Sequence, residues 1–519
     1  MPNSKIKKLK ILFVTSEVAP LSKVGGLADV CWSLPRELIK LGHDVRIFTP
    51  KYGSIEEEKY SIKYYLKGLK VSTSKEDIIC NIKQCLIPGN IKVYLLENME
   101  YYEKRANVYG YSDDSRRWYL LSKLVLEFLK AEDWTPDIIH NHDWMTGFAS
   151  NFLRTEYKKD KKLNKIATLF TIHNIEMQGQ FNYWDQKESE KDDGKKNITD
   201  LYAKEVIGSN GVKRGIIHSD IVSSVSENYT REIMTPEYGA GLDKLMREER
   251  MKLFGVINGL DYNVFNPSTD PDIWVNYDRN SLEKKTKNKL KFQQEFGLDQ
   301  DPDVPLLGFV GRFTKQKGLS LIKEVLEILI KDLHFQFAIV GGSGEQEYQQ
   351  YFYELMKKYP HKIGGHLMVS KIIGQQIYAA SDIFLYPSLF EPCGLAHLIA
   401  MKYGSVPVVH KTGGLADTVL DFDPNTFEGN GFVFEDFNQR SFMIQIVRAI
   451  ENFKHKNSWK KLQRKLMGLD FSWKNSAIQY IDLYNKAIER HKRWLTKEGL
   501  IKARFPEEVS GIHTIDPSR

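Results

Sequence analysis

The chain has 519 residues, too many for one ordinary core, so two or more domains are expected. With 42% hydrophobic and 12% aromatic residues it is not a disordered protein. The formal charge is +7, yet 67 acidic residues stand against 74 basic ones, which excludes a polycation built for nucleic acid and suits an anionic small-molecule substrate.

Residues 10–18, "KILFVTSEV", read as a strand that runs into a glycine turn, "SKVGGLADV". The basic start followed by a short apolar run imitates a signal peptide, but it lacks a small-residue cleavage site and continues into the turn. A helix is predicted over 27–42, where Leu27, Val30, Leu34, Leu38 and Leu41 share one face. Further strands are predicted at 43–50, 91–98, 136–143, 166–174 and 220–226, and this strand–helix alternation implies a parallel, doubly wound sheet. A charged stretch at 185–200 reads as a mobile surface loop.

A polar segment around 258–304 leads to a second round of the same pattern. Strands are predicted at 305–313, 335–345, 381–388 and 405–414, and helices at 318–333 and 394–404. The expected fold class is therefore α/β, with two Rossmann-like units. Their expected limits are 1–260 and 261–475, followed by a helix over 476–494 that packs back on the first unit and a loose tail over 495–519. No apolar run is long enough to span a bilayer, so no membrane partner is expected. Cys31, Cys80, Cys85 and Cys393 follow no metal or disulfide spacing and read as reduced thiols.

The pattern Lys-x-Gly-Gly-Leu-Ala-Asp occurs twice, at 23–29 and 411–417. Each copy follows a strand and precedes a helix, at the strand ends where open parallel sheets bind ligands. Gly25–Gly26 and Gly413–Gly414 would let backbone N–H groups approach an anion closely, although a lone glycine pair more often marks a tight connection. Lys23 adds a mobile counter-charge beside the first pair. In "GRFTKQKG", Arg312 and Lys317 flank a strand-end loop and would clamp a diphosphate, the bland reading being a solvated basic loop. "HNHDW" puts His140 and His142 on one face of a strand, but no third ligand has matching spacing, and no metal is expected. Asp143 and His173 are expected at polar strand ends facing the cleft. Glu391 precedes a helix opened by Cys393, Gly394 and Leu395, where it could complement the dipole or accept hydrogen bonds from sugar hydroxyls.

"KVGGLAD", "HNHDW", "TIHN", "YGAGLD", "INGLDYNVFNPSTD", "GRFTKQKG", "LFEPCGL" and "KYGSVPVVHKTGGLADTV" stand in the order found in glycogen and starch synthases. From about Leu9 to about Tyr484 the chain resembles that family, closest in pattern to the type III and IV starch synthases and their bacterial relatives. The resemblance implies a GT-B fold, two facing domains with a cleft between them. It also implies retaining transfer of glucose from ADP-glucose or UDP-glucose to an α-1,4-glucan acceptor, with no cofactor and no metal. By the same resemblance Lys23 and the Gly25–Gly26 turn serve the donor phosphates and the acceptor side, Asp29 matches a donor-side aspartate, and Asp143 and His173 surround the transferred glucose. Arg312 and Lys317 form the diphosphate clamp, and Glu391 holds glucose hydroxyls beside the amides of Cys393, Gly394 and Leu395. Gly413 and Gly414 line the nucleotide-domain wall. A cytoplasmic location is implied, or a plastid stroma if a transit peptide was removed; nothing points to an oligomeric state.

Several stretches depart from the family pattern, among them the charged loop at 185–200, which falls where relatives carry acceptor-side segments. Met145 follows "HDW" in place of a small polar residue or histidine, and Ala396–His397 replace a Thr-Gln pair. "VSKIIGQ" (369–375) stands where relatives carry a tyrosine that stacks on the nucleobase, with Val369 or Ser370 at its position. ADP-glucose is the expected donor. UDP-glucose use, a weakly catalytic glucan-binding or priming paralogue, and an enzyme making sucrose or a glycoconjugate are the alternatives.

Overall fold

The computed structural model describes residues 8–179, 187, 189 and 191–501. The predicted strands form, each somewhat shorter than its sequence pattern at one end or both. In the first unit these are β1 (Lys10–Val14), β2 (Asp44–Pro50), β5 (Ile91–Glu97), β6 (Ile138–His142), β7 (Ala167–Ile172) and β8 (Ile221–Ser224), with the short β9 (Leu253–Gly255) beyond them. β3 (Lys63–Ser72) and β4 (Asp77–Ile87) complete a nine-stranded sheet of order β3-β4-β5-β2-β1-β6-β7-β8-β9.

This sheet is not wholly parallel. β4 runs antiparallel to β5 and to β3, so a hairpin extends one edge. β3 escaped sequence reading because "KYYLKGLKVS" buries only Val71 and shows no one-sided apolar alternation. Its lysines suit an exposed edge, which they protect from pairing with another chain.

The second unit is a six-stranded parallel sheet of order β12-β11-β10-β13-β14-β15. Its strands are β10 (Leu306–Val310), β11 (Gln336–Val340), β12 (Ile363–His366), β13 (Ile383–Tyr386), β14 (Val406–His410) and β15 (Phe432–Phe434). The order reverses between β10 and β13, the switch point at which open α/β sheets leave a crevice.

One core gathers residues from Leu9 to Val256, and another those from Leu260 to Met467. The chain then returns. Helix Trp473–Lys497 lays Trp473, Ala477, Tyr480, Leu483, Tyr484 and Ala487 into the first core. Tyr484 bonds His140 Nδ1 at 2.9 Å. The two crossings between units lie side by side: the N–H of Leu260 donates to the Phe471 carbonyl at 2.6 Å, and the Ser476 hydroxyl donates to the Ile257 carbonyl at 2.6 Å.

Two sequence expectations change here. The charged stretch at 185–200, of which 185, 186, 188 and 190 lie outside the described residues, is anchored where it is described. Asp192 is half-buried in a two-pronged pair with Arg214 (2.8 and 2.9 Å) and accepts the N–H of Asn210 at 2.9 Å. A guanidinium that is itself fully buried must have such a partner. The expected tail begins later than 495, since the helix runs to Lys497; residues 502–519 lie outside the described residues.

Candidate active site

The carboxyl ends of both sheets face one cavity of about 770 Å³. From the first unit it is lined by Gly25 and Gly26 after β1, Asp143 after β6 and His173 after β7. From the second come Arg312 and Lys317 after β10 and Glu391, Cys393, Gly394 and Leu395 after β13. Residues far apart in the chain thus converge across the cleft.

Asp143 is the most constrained of them. Its φ is 54°, a left-handed conformation that costs a non-glycine residue about 1–3 kcal/mol. The surroundings hold it there. Its N–H donates to the Thr171 carbonyl at 2.9 Å, and its Oδ1 accepts the N–H of His173 at 2.7 Å. Burial outweighs the hydrogen bonds from the His173 and Asn174 amides and pushes its carboxyl up to about 7. Burial pushes the His173 imidazole down to about 3, so it is neutral at physiological pH. His173 Nε2 lies 3.1 Å from His142 Nδ1, and His142 stacks on Phe13. These rings orient His173 from behind.

On the opposite wall, Glu391 is buried with one oxygen heavily engaged. Its Oε2 accepts Lys317 Nζ in a very short contact, the Tyr386 hydroxyl at 2.9 Å and the Ser388 hydroxyl at 3.2 Å. Lys317 also reaches Tyr386 at 3.0 Å. Charge and hydrogen bonds thus orient the carboxylate group relative to Lys317, Tyr386 and Ser388. Arg312 is exposed, and among the described residues its side chain hydrogen-bonds only the Gln316 side chain, at 3.2 Å. Its guanidinium is available to an anion in the cleft. Gly394 has φ 75°, which turns the chain so that residues 393–395 face the cavity. Cys393 packs among Phe170, Ile172 and Val225 of the first unit, joining the two walls.

Sequence reading misplaced part of the glycine repeats. Gly413 and Gly414 do not line the cavity. The N–H of Gly413 donates to Glu232 Oε1 at 2.9 Å, and that of Gly414 to the Glu391 and Pro392 carbonyls at 3.2 Å, so these amides are spent on protein. The first turn differs only in degree: the N–H groups of Val24 and Gly25 donate to Glu17 Oε2 at 2.5 and 3.2 Å. Lys23 and Asp29 form an exposed ion pair of 2.7 Å beside the cleft rather than lining it. Glu17, Tyr386 and Ser388 were not legible as site residues. All three fall within predicted strands, Glu17 in 10–18 and Tyr386 and Ser388 in 381–388, with nothing to mark them as site residues.

Comparison with known proteins bears directly on this cleft. The starch synthase catalytic domain family matches residues 10–248, and glycosyl transferases group 1 matches 291–466. A glycogen synthase of Desulforamulus reducens is 40% identical over 92% of this chain and 99% of its own length. One of Moorella thermoacetica is 40% identical over 95% of this chain and all of its own. The chain belongs to the glycogen and starch synthases. The catalytic domain of starch synthase IV from Arabidopsis thaliana, solved bound to ADP and acarbose, superposes with a TM-score of 0.81 at 33% identity, covering 93% of this chain and 100% of that one. A sucrose-phosphate synthase from Thermosynechococcus elongatus, at 16% identity and a TM-score of 0.58, shares the fold. Like other glycogen and starch synthases, the chain is a GT-B glucosyltransferase that takes a nucleotide sugar as donor and a glucan as acceptor.

Proposed function

We propose that the enzyme transfers glucose, with retention of configuration, from ADP-glucose to the terminal 4-hydroxyl of an α-1,4-glucan. The observation that carries this is the convergence of Arg312, Lys317 and Glu391 with Asp143 and His173 on one interdomain cavity. In this reading Arg312 and Lys317 bind the diphosphate and stabilise it as it leaves, the main catalytic effect. Glu391 accepts glucose hydroxyls, beside the amides of Cys393, Gly394 and Leu395. His173 and Asp143 contact the glucosyl group from the facing wall, and Gly25 and Gly26 permit close approach of the phosphates, with Lys23 and Asp29 at the rim.

As the bond to the diphosphate breaks, positive charge develops at the anomeric carbon. The glucan hydroxyl attacks from the face the diphosphate vacates and gives its proton to a phosphate oxygen. Closure of the two units excludes water that would otherwise hydrolyse the donor. No metal is required in this scheme. The four free, buried cysteines suit a cytosolic enzyme.

ADP-glucose is favoured by the ADP-bound starch synthase IV relative. UDP-glucose is the second reading, because Val369, where the stacking tyrosine would stand, is 72% exposed and offers no aromatic face. Release of nucleoside diphosphate from each donor, with glycogen as acceptor, tests both. Stronger turnover of UDP-glucose would overturn the donor assignment, and glycogen-independent release alone would overturn the transfer reaction.

A further inference from the structure

The second glycine turn is held by the other half of the molecule. Glu232, the last residue of helix Glu227–Glu232 in the first unit, accepts at Oε1 the N–H of Gly413 (2.9 Å) and the Thr412 hydroxyl (3.1 Å). The exchange is mutual. Asp417, in helix Gly413–Thr418 of the second unit, accepts at Oδ2 the N–H of Asn228 (2.9 Å) in the first turn of that same helix. Each unit satisfies amides that the other's helix start leaves open.

This turn sits directly behind Glu391. Gly413 has φ 42°, and a Cβ there would lie 1.9 Å from the Glu391 carbonyl oxygen. The N–H of Gly414 donates to the carbonyls of Glu391 and Pro392. A path of direct contacts therefore runs from a carboxylate of the first unit, through Thr412–Gly414, to the backbone that carries Glu391.

We propose that Glu232 is a positioning residue for the transfer reaction: from across the domain boundary it fixes the turn on which Glu391 rests, so that the sugar-holding carboxylate is in register only while the two units are engaged. This rests on the role given to Glu391 above. It assigns the second glycine repeat a purpose other than phosphate binding. The glycines are there because a turn must pass between Glu391 and Glu232 with no side chain in the way.

The test compares Glu232→Ala, Glu232→Gln, Glu391→Gln and the Glu232→Ala/Glu391→Gln double variant in the full chain, by glucan transfer and thermal melting. Glu232→Ala is expected to lower kcat about tenfold, as a small displacement of a reacting-site group does, with a smaller change in donor KM. Glu232→Gln restores most of the rate, because its amide oxygen accepts the same two hydrogen bonds. On the Glu391→Gln background, Glu232→Ala costs little more, since both changes act through one group. Wild-type kcat in Glu232→Ala with only a lowered melting temperature would overturn the proposal and leave a plain interdomain contact. So would a glutamine variant as slow as the alanine one, or fully additive losses. If alanine prevents folding, Glu232→Asp, which keeps the charge but withdraws the oxygen by one methylene, gives the same comparison. Near-normal turnover of Glu391→Gln would overturn the underlying reading of Glu391, and the inference with it; a slow Glu391→Gln beside a normal Glu232→Ala would overturn the inference alone.

Discussion

Lys317 and Glu391 are bonded to each other, ammonium to carboxylate, although the proposed reaction gives them opposite ends of the donor. Tyr386 bridges the pair from below by bonding both. The donor's leaving group and its sugar would thus be gripped by one connected unit, in which any displacement of the lysine is felt by the glutamate.

That connection makes the two cations of the cleft unequal. Arg312→Ala and Lys317→Ala should each lower kcat by about two orders of magnitude or more, because charge development on the leaving diphosphate loses a partner. Lys317→Ala also strands a buried carboxylate and should lower the melting temperature, whereas replacing Arg312, exposed and bonded to Gln316, should not. Steady-state kinetics with melting curves checks both, and unchanged turnover in either variant would remove that residue from the clamp.

Glu391→Gln preserves shape and most hydrogen bonding but removes negative charge from beside a developing glucosyl cation. A large fall in kcat with a modest change in donor KM is expected. A variant that is merely less stable, with normal activity in its folded fraction, would reduce Glu391 to a structural role.

Asp143 gives a pH signature. Burial raises its folded pKa to about 7, against about 3.9 for an unperturbed aspartate. Between those values the folded state holds a proton that the unfolded state lacks, so this group's contribution to stability falls as pH rises from about 4 and is fully lost above about 7. Each tenfold difference in proton affinity is worth about 1.4 kcal/mol. Asp143→Asn should therefore raise the melting temperature at pH 8 more than at pH 5 while impairing transfer. Equal shifts at both pH values would mean that the carboxyl is ionised throughout.

The donor base is the fourth case. Without an aromatic partner at 369 the base loses stacking worth about 1–3 kcal/mol, and adenine, the larger ring system, loses more than uracil. Discrimination between the two donors should be loose, and Val369→Tyr should tighten ADP-glucose more than UDP-glucose. Strict ADP-glucose use by the wild type, unaltered by the substitution, would mean that another side chain holds the base.

The strands that bring the site together were legible because buried parallel strands are short apolar runs, and their carboxyl ends announce themselves by polar residues: Asp143, His173, Arg312 and Glu391 all follow such a run. What stayed hidden was pairing over distance. Nothing local to "TSEV" says that Glu17 bonds the amides of Val24 and Gly25, and nothing near "REIM" says that Glu232 reaches Gly413, 181 positions along the chain. The repeat itself misled: identical letters around Gly25 and Gly413 suggested one purpose, yet only the first pair reaches the cavity. β3 was missed for the opposite reason, since an exposed edge strand has no buried face to impose a pattern.

Helix Trp473–Lys497 has a consequence for the order of assembly. It fills the first core, so that core is built from both ends of the chain, with the whole second unit inserted between them. On a ribosome, where folding follows emergence from the N-terminus, the first half to appear would be the last to finish. It must wait with an unfilled groove over His140 while some two hundred further residues are made, and the second unit, contiguous in sequence, can fold in the meantime. Nascent chains arrested before residue 473 should remain open to protease within the first unit and become resistant once that helix is released.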